Sequence, residues 1–320
     1  MRVTSNSVAR DLVANLQQTY QRMDVLQTQL ATGKQVRRPS DDPTAVRDSM
    51  TLRTAMSANG RYQQNIDDGV AWTQATDSSL DRLNQVVGRV KDLTLAAANS
   101  PLPDQSREAI YEEAKELLQE AVQVSNATNG TRFIFAGFNA SATTPPFSLT
   151  TSAPDPVTGF TTTTVNGPAD SGQYLNREVG GGVRMAINVP GSQLQPALQK
   201  VADVIDTLQR VINTPSTNPL PAQYQADVAA LSNIYPAQLE KSADQLLSAR
   251  SDIGAKMARL DATKDQLTGA QVTLQTLLSK AEDVDMTKAI TDLQRTQMAY
   301  STSLAVGARI LPQTLVDFLR

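Results

Sequence analysis

The run Arg37–Val46, RRPSDDPTAV, sets two guanidinium groups, a hydroxyl and two adjacent carboxylates within ten residues. Adjacent carboxylates can work as an acid–base pair when a partner base or a metal ligand shares their site. This sequence supplies neither. It has 0 Cys and 0 His, which removes cysteine nucleophiles, Ser–His pairs, His-ligated metals and four-cysteine zinc sites together. Ala31–Lys34, ATGK, lacks a glycine five residues before Gly33 and is followed by Gln35, so it is no phosphate loop. Gly180–Gly182 reads as a turn before a strand; no helix follows it, as a dinucleotide fingerprint requires. Glu112, Glu113 and Glu116 form a charged helix face, and Trp72 reads as a packing residue. Met23, Met50 and Met56 read as seam or core. No catalytic residue, metal or cofactor is expected.

The same run makes sense as a connector. Pro39 pushes Arg38 toward extended geometry. Ser40, Asp41 and Asp42 are all good N-cap residues. Pro43 suits a first helical position, where no N–H is required. Two carboxylates there also face the positive end of a helix dipole, and Arg37 and Arg38 could pair with them. Arg38–Pro43 is therefore expected to be a hinge, where one helix stops and another starts.

The flanking elements read clearly. Val8, Leu12, Leu16, Thr19, Met23, Leu26 and Leu30 form one stripe of an amphipathic helix, stopped at Thr32–Gly33. A second helical region runs from about Thr44 to Asn99, with Leu80, Leu83, Val87, Val90 and Ala97 inward. Pro101–Asp104 reads as a turn and N-cap. A third helix carries Ile110, Ala114, Leu117, Ala121 and Val124 inward and ends at Asn129–Gly130. Phe133–Phe138, FIFAGF, is a buried-strand candidate. Residues 139–191 are rich in Thr, Gly, Pro and Ser and read as a small β-rich insert, with Val183, Met185, Ile187 and Val189 alternating in a half-buried strand. Helix resumes with Leu198, Val201, Ile205, Leu208 and Ile212. After the loop TPSTNPLPA, Leu239, Leu246, Ile253, Leu260, Leu267, Leu274 and Ala281 recur every seven residues, with Ala270, Leu277 and Val284 in the alternate position. Glu282–Asp285 interrupts this heptad before a last stripe of Ile290, Leu293, Gln297, Tyr300, Leu304 and Leu311.

The expected fold is mainly α with a small β-rich insert, α+β overall. Residues 1–43 and 285–320 would form an inner terminal-helix domain, 44–138 and 192–284 a helical rod, and 139–191 a small outer domain. The rod would be elongated, with the terminal helices paired at one end and the β domain at the other. Aromatics are only 4% of the chain, which favours aliphatic helical seams over bulky cores.

Charge is nearly balanced, 29 Lys+Arg against 32 Asp+Glu, so neither nucleic acid nor an acidic membrane surface is an expected partner. No apolar run reaches the length of a membrane-spanning helix. The opening MRVTSNSVARDLVANL has no apolar core or small-residue cleavage site, so no cleaved signal peptide is expected. Zero cysteine fits the cytosol and equally a chain exported unfolded. Two stripes of some thirty residues expose more apolar edge than a lone helix pair buries. Either the ends fold back on the rod, or they pack against other copies in a polymer.

The motifs carry a resemblance. RRPSDDPTAV, the preceding LATGKQV, NIDDGVAW (Asn65–Trp72), DSSLDRLNQVVGRVKDLTLAAAN and SDIGAKMARLD (Ser251–Asp261) are similar, in this order, to motifs of the bacterial flagellin family. The resemblance covers roughly 1–138 and 192–320. It implies an inner domain from both termini, a helical middle domain, a variable outer insert, and polymerisation into a tube. It also implies a location outside the cell, in the bacterial flagellum, after export by the flagellar type III apparatus. The short insert, and the ending LPQTLVDFLR, set the chain apart from most filament-forming members and favour a junction or adaptor layer between hook-associated protein 1 and the flagellin filament. Alternatives are a short flagellin forming the filament itself, or a non-flagellar coiled-coil scaffold. Implied partners are hook-associated protein 1, flagellin, copies of itself and a cytoplasmic flagellar export chaperone. By matching position, Arg38, Pro39, Ser40, Asp41, Asp42 and Pro43 would connect inner and middle domains. Val8, Leu12, Leu16, Met23, Leu26, Leu30, Ile290, Leu293, Tyr300, Leu304, Leu311, Leu315 and Phe318 would line packing between subunits.

Overall fold

The computed structural model describes residues 5–36, 38, 40, 42–98, 103–140, 143–154, 160–168, 173–213 and 222–310. Helices dominate: α1 (Ser5–Thr32), α2 (Pro43–Ala98), α3 (Asp104–Ser125), α4 (Gln195–Asn213), α5 (Ala222–Ala229), α6 (Tyr235–Glu282) and α7 (Met286–Ile310). A π turn, Ala230–Ile234, joins α5 to α6. Between α3 and α4 lie three antiparallel two-stranded pairs: β1 (Thr128–Asn129) with β2 (Arg132–Phe133), β3 (Ser148–Thr151) with β4 (Thr163–Asn166), and β5 (Asn176–Gly180) with β6 (Val183–Ala186). The fold is mainly α with a small β-rich part. No helix among the described residues is long and apolar enough to cross a membrane.

The chain divides into two compact units. Residues 1–60 and 269–320 make the first, and 61–268 the second. In the second unit α2 and α6 run antiparallel, as their ion pairs show: Lys264 with Asp67 at 2.7 Å, Arg250 with Asp77 at 2.8 Å, and Lys91 with Glu240 at 3.1 Å. Leu239, Leu246, Ile253 and Leu260 of the heptad are fully buried or nearly so. Leu80, Leu83, Val86, Val87 and Val90 of α2 lie in the same core as the first three of them and as α4's Leu198, Val201, Ile205 and Leu208. Trp72 is buried in this core, with the Arg132 guanidinium 5.7 Å above its ring. Leu260 instead anchors a smaller cluster with Ile66, Val179 and Met185.

The β pairs are too small to bury their own edges, and α4 closes one of them. Asp206 Oδ2 accepts the Thr163 N–H at 2.7 Å, Gln199 Oε1 accepts the Val165 N–H at 2.9 Å, and Gln195 Nε2 donates to the Val165 carbonyl at 3.2 Å. One face of the helix thus does for the edge of β4 what a neighbouring strand would do.

Five local expectations are corrected. Phe133–Phe138 is not a strand: beyond Phe133 the chain bends, and Gly137, at φ +60°, opens a 3-10 turn. Ile134 and Phe135 are nonetheless fully buried. Asn129–Gly130 does not end α3. Asn126 holds the C-cap, donating to the Val122 carbonyl, while Gly130, at φ +63°, turns the β1–β2 hairpin. At the start of α3 the N-cap position is Pro103, and Asp104 is already helical. Late in α6 the expected alternates Ala270 and Leu277 are exposed and Gln271 and Leu278 are half-buried; Met50 is likewise exposed, at 65%, rather than in a seam.

Candidate functional site

Two breaks in helix, one near each end of the chain, meet in the first unit. The first begins where Gly33, at φ +70°, takes the left-handed conformation that ends α1 after Thr32. Its N–H still bonds back to the Gln29 carbonyl at 2.8 Å. The break closes at Asp42, whose Oδ1 accepts the N–H groups of Thr44 (2.9 Å) and Ala45 (3.0 Å). Asp42 is therefore the N-cap and Pro43 the first residue of α2. The Ala45 N–H, then Thr44, hold the Asp42 carboxyl below its ordinary value. Arg38 and Ser40 are exposed. Pro39, Asp41 and Arg37 lie outside the described residues.

The second break, Asp283–Asp285, separates α6 from α7. Its acidic residues divide the work. Asp285 caps α7, accepting the Lys288 N–H at 3.0 Å. Asp283 accepts a bond from the Ser279 hydroxyl one turn back in α6. Glu282 turns inward and is the centre of the site.

Backbone bonds tie the breaks together. Gln35 N–H donates to the Glu282 carbonyl at 2.6 Å, and Val284 N–H donates to the Gly33 carbonyl at 3.0 Å, an antiparallel bridge between Lys34 and Asp283. The Glu282 side chain is only 8% exposed. It accepts from Lys34 Nζ across the bridge and from Arg53 of α2 at 2.8 Å, while the Ser49 hydroxyl of α2 donates to the Val46 carbonyl at 2.9 Å. The Arg53 hydrogen bond is the largest influence holding the Glu282 carboxyl down, to about 2; Lys34 adds to it, and burial opposes both.

On the other side of the breaks, α1 and α7 pack along each other. Leu12, Leu16, Met23, Leu26 and Leu30 are all half-buried. The facing surface of α7 is made largely of small residues: Ala289, Thr296 and Gly307 are buried, with Leu293 and Tyr300 half-buried among them. Gly307 permits the closest approach, since a Cβ there would stand 2.6 Å from Leu12 Cδ2. Tyr20 and Tyr300 rings lie 6.2 Å apart, tilted by 49°. Larger apolar residues of α7 point away: Ile290 is 45% exposed, Leu304 47% and Met298 62%. The α1 stripe is thus partly covered within the chain, whereas Ile290 and Leu304 stay open. The Val8 side chain and Leu311, Leu315 and Phe318 lie outside the described residues.

Sequence reasoning located both breaks but not the triad of Lys34, Arg53 and Glu282. Lys34 and Glu282 are 248 residues apart, and no short motif joins them. The one available signal was an acidic residue closing a heptad helix.

Two family models match this chain: the bacterial flagellin N-terminal helical region over residues 3–140 and the bacterial flagellin C-terminal helical region over residues 237–319. The chain belongs to the bacterial flagellin family. Among curated members, the flagellar filament 30.7 kDa core protein of Treponema maltophilum is 22% identical over 284 residues, covering 88% of this chain and 85% of that protein. Flagellar hook-associated protein 3 of Salmonella typhimurium is 23% identical over 319 residues, covering 95% of each. The solved flagellar hook-associated protein 3 of Legionella pneumophila shares the fold, with a TM-score of 0.58 at 14% identity, over 72% of this chain and 98% of that one. In this flagellin-family chain, the matched helical regions contain both breaks and both members of the α1–α7 pair.

Proposed function

We propose that this chain is a structural component of the bacterial flagellum, forming a junction layer between hook-associated protein 1 and the flagellin filament. The observation that carries this reading is the end-to-end similarity to a hook-associated protein 3, spanning 95% of each chain. Each half of the flagellin signature also contributes one helix to a single terminal pair. The work is mechanical, with no catalytic centre. Copies of the chain pack through the terminal helices, with Ile290 and Leu304 on the open face of α7 as principal contacts. Leu12, Leu16, Met23, Leu26, Leu30, Leu293 and Tyr300 set the pair that presents that face. Export runs unfolded through the flagellar type III apparatus, aided by a cytoplasmic chaperone. Zero cysteine suits this route, because no cross-link can form before passage.

A second reading, a short filament-forming flagellin, is favoured by the similarity to the Treponema filament core protein. Immunogold labelling of intact flagella separates the two. A junction protein gives one band of label where hook meets filament, and deletion leaves hooks that shed flagellin. Label along the whole filament would instead assign the chain to the filament.

A further inference from the structure

We propose that the two breaks form one coupled joint, latched by Glu282, which sets the angle of the α1–α7 pair on the stem made by the start of α2 and the end of α6. The inference concerns this chain by itself and stands whether or not the junction reading holds.

Three observations converge on it. First, the breaks are not independent linkers. The Gln35–Glu282 and Val284–Gly33 backbone bonds pair Gly33–Gln35 with Glu282–Val284 in a short two-stranded ribbon, so bending of one of these strands moves the other. Gln29 Nε2 adds a bond from the last turn of α1 to the Gln35 carbonyl at 2.8 Å. Second, one side chain joins α6, the ribbon and α2. Glu282 ends α6, binds Lys34 in the ribbon, and binds Arg53 on α2. Third, its position is unfavourable without those partners. A carboxylate at a helix C-terminus faces the negative end of the dipole, and a buried unpaired charge is costly. With both cations in place the closed joint is favoured; without them the carboxylate is driven toward water and the ribbon loses its anchor to α2. The cations are themselves accessible, Lys34 at 43% and Arg53 at 56% exposure. The latch is therefore open to competition from salt or from another carboxylate. Hinges that change by opening such a contact move as rigid bodies and leave their helices intact.

The absence of native cysteine allows a direct test. Ala270→Cys on α6 and Gln294→Cys on α7, both exposed positions, carry spin labels on the full chain, and their separation is measured by pulsed electron–electron double resonance. The latched chain gives one narrow distance distribution. Glu282→Gln, which keeps the shape and removes the charge, is expected to broaden it about two-fold while helical circular dichroism is retained. Salt at about 1 M broadens the parent and leaves Glu282→Gln unchanged. Should Glu282→Gln lose helix, Lys34→Met and Arg53→Met decide the matter, each removing one cation and each expected to broaden the distribution. A parent already as broad as its variants, or variants as narrow as the parent, would overturn the latch. Either result leaves the immunogold assignment untouched.

Discussion

Glu282 and Asp42 are both carboxylates at helix ends, and they are held for opposite reasons. Asp42 sits at the positive end of α2, where its acceptors satisfy two otherwise orphaned N–H groups. Asp42→Ala is expected to lower the denaturant midpoint of unfolding and to fray the start of α2, read by circular dichroism. Glu282 sits at the wrong end of α6 for its charge and depends on Arg53 and Lys34. Its ordinary carboxyl value of 4.5 is lowered to about 2. A depressed carboxyl stabilises the fold fully above its unfolded value and loses that contribution as pH falls through the folded value. The stability difference between the parent chain and Glu282→Gln should therefore be constant above about pH 5 and shrink progressively between about 4.5 and 2. Near neutral pH that difference should be about 2 kcal/mol, typical of hydrogen bonds to a charged group. Urea titrations at stepped pH measure it, and a pH-independent difference would show that Glu282 acts by shape alone.

At the scale of elements, the informative contrast is between the two ends of the heptad in α6. Leu260 is fully buried, whereas Leu277 is 45% exposed. Leu260→Ala should cost about 2–5 kcal/mol, and Leu277→Ala less than about 0.5 kcal/mol, by chemical denaturation. The α1–α7 pair makes a sharper prediction, because its closeness depends on one glycine. Gly307→Leu forces side-chain atoms into the space of Leu12, and overpacking of this kind costs about 1–3 kcal/mol. Leu12→Ala in the same chain should restore much of the loss, and a double-mutant cycle measures the coupling. Independent effects at the two positions would mean that the helices do not approach there. How α7 orients was not legible from periodicity, since it carries apolar residues on more than one side. The small residues Ala289, Thr296 and Gly307 decide which side faces α1, by letting the backbones approach.

For the molecule as a whole, the open face of α7 is the place where folding and assembly can be separated. Ile290→Ser and Leu304→Ser alter residues that are nearly half exposed in the single chain. Monomer stability should change by less than about 0.5 kcal/mol, while polymerisation, followed by sedimentation, should fail. Loss of the monomer fold instead would place these residues in the chain's own core. Zinc chelators and reducing agents should change neither property, because no cysteine or histidine exists to respond.

The helices, the stop of α1 and the start of α2 were readable from the amino-acid sequence because each is written locally. Four-three spacing marks a buried stripe, Gly33 permits a left-handed stop, and Asp42–Pro43 caps and starts a helix within two residues. The seven-residue recurrence from Leu239 to Leu260 likewise reports its own burial. Tertiary structure alone decided which residues the breaks bond to. The bonds from Gln35 to Glu282 and from Val284 to Gly33 close over about 250 residues of intervening chain, and no local preference encodes a partner at that separation. The same holds for Phe133–Phe138, whose apolar run signalled the burial of Ile134–Gly137 but neither the exposure of Phe138 nor the conformation: a buried segment satisfies its backbone through whichever neighbours the fold brings to it, here Ala127 and Ala140 around Phe133 and Ile134. Burial is a property of composition and period, whereas pairing is a property of the assembled chain.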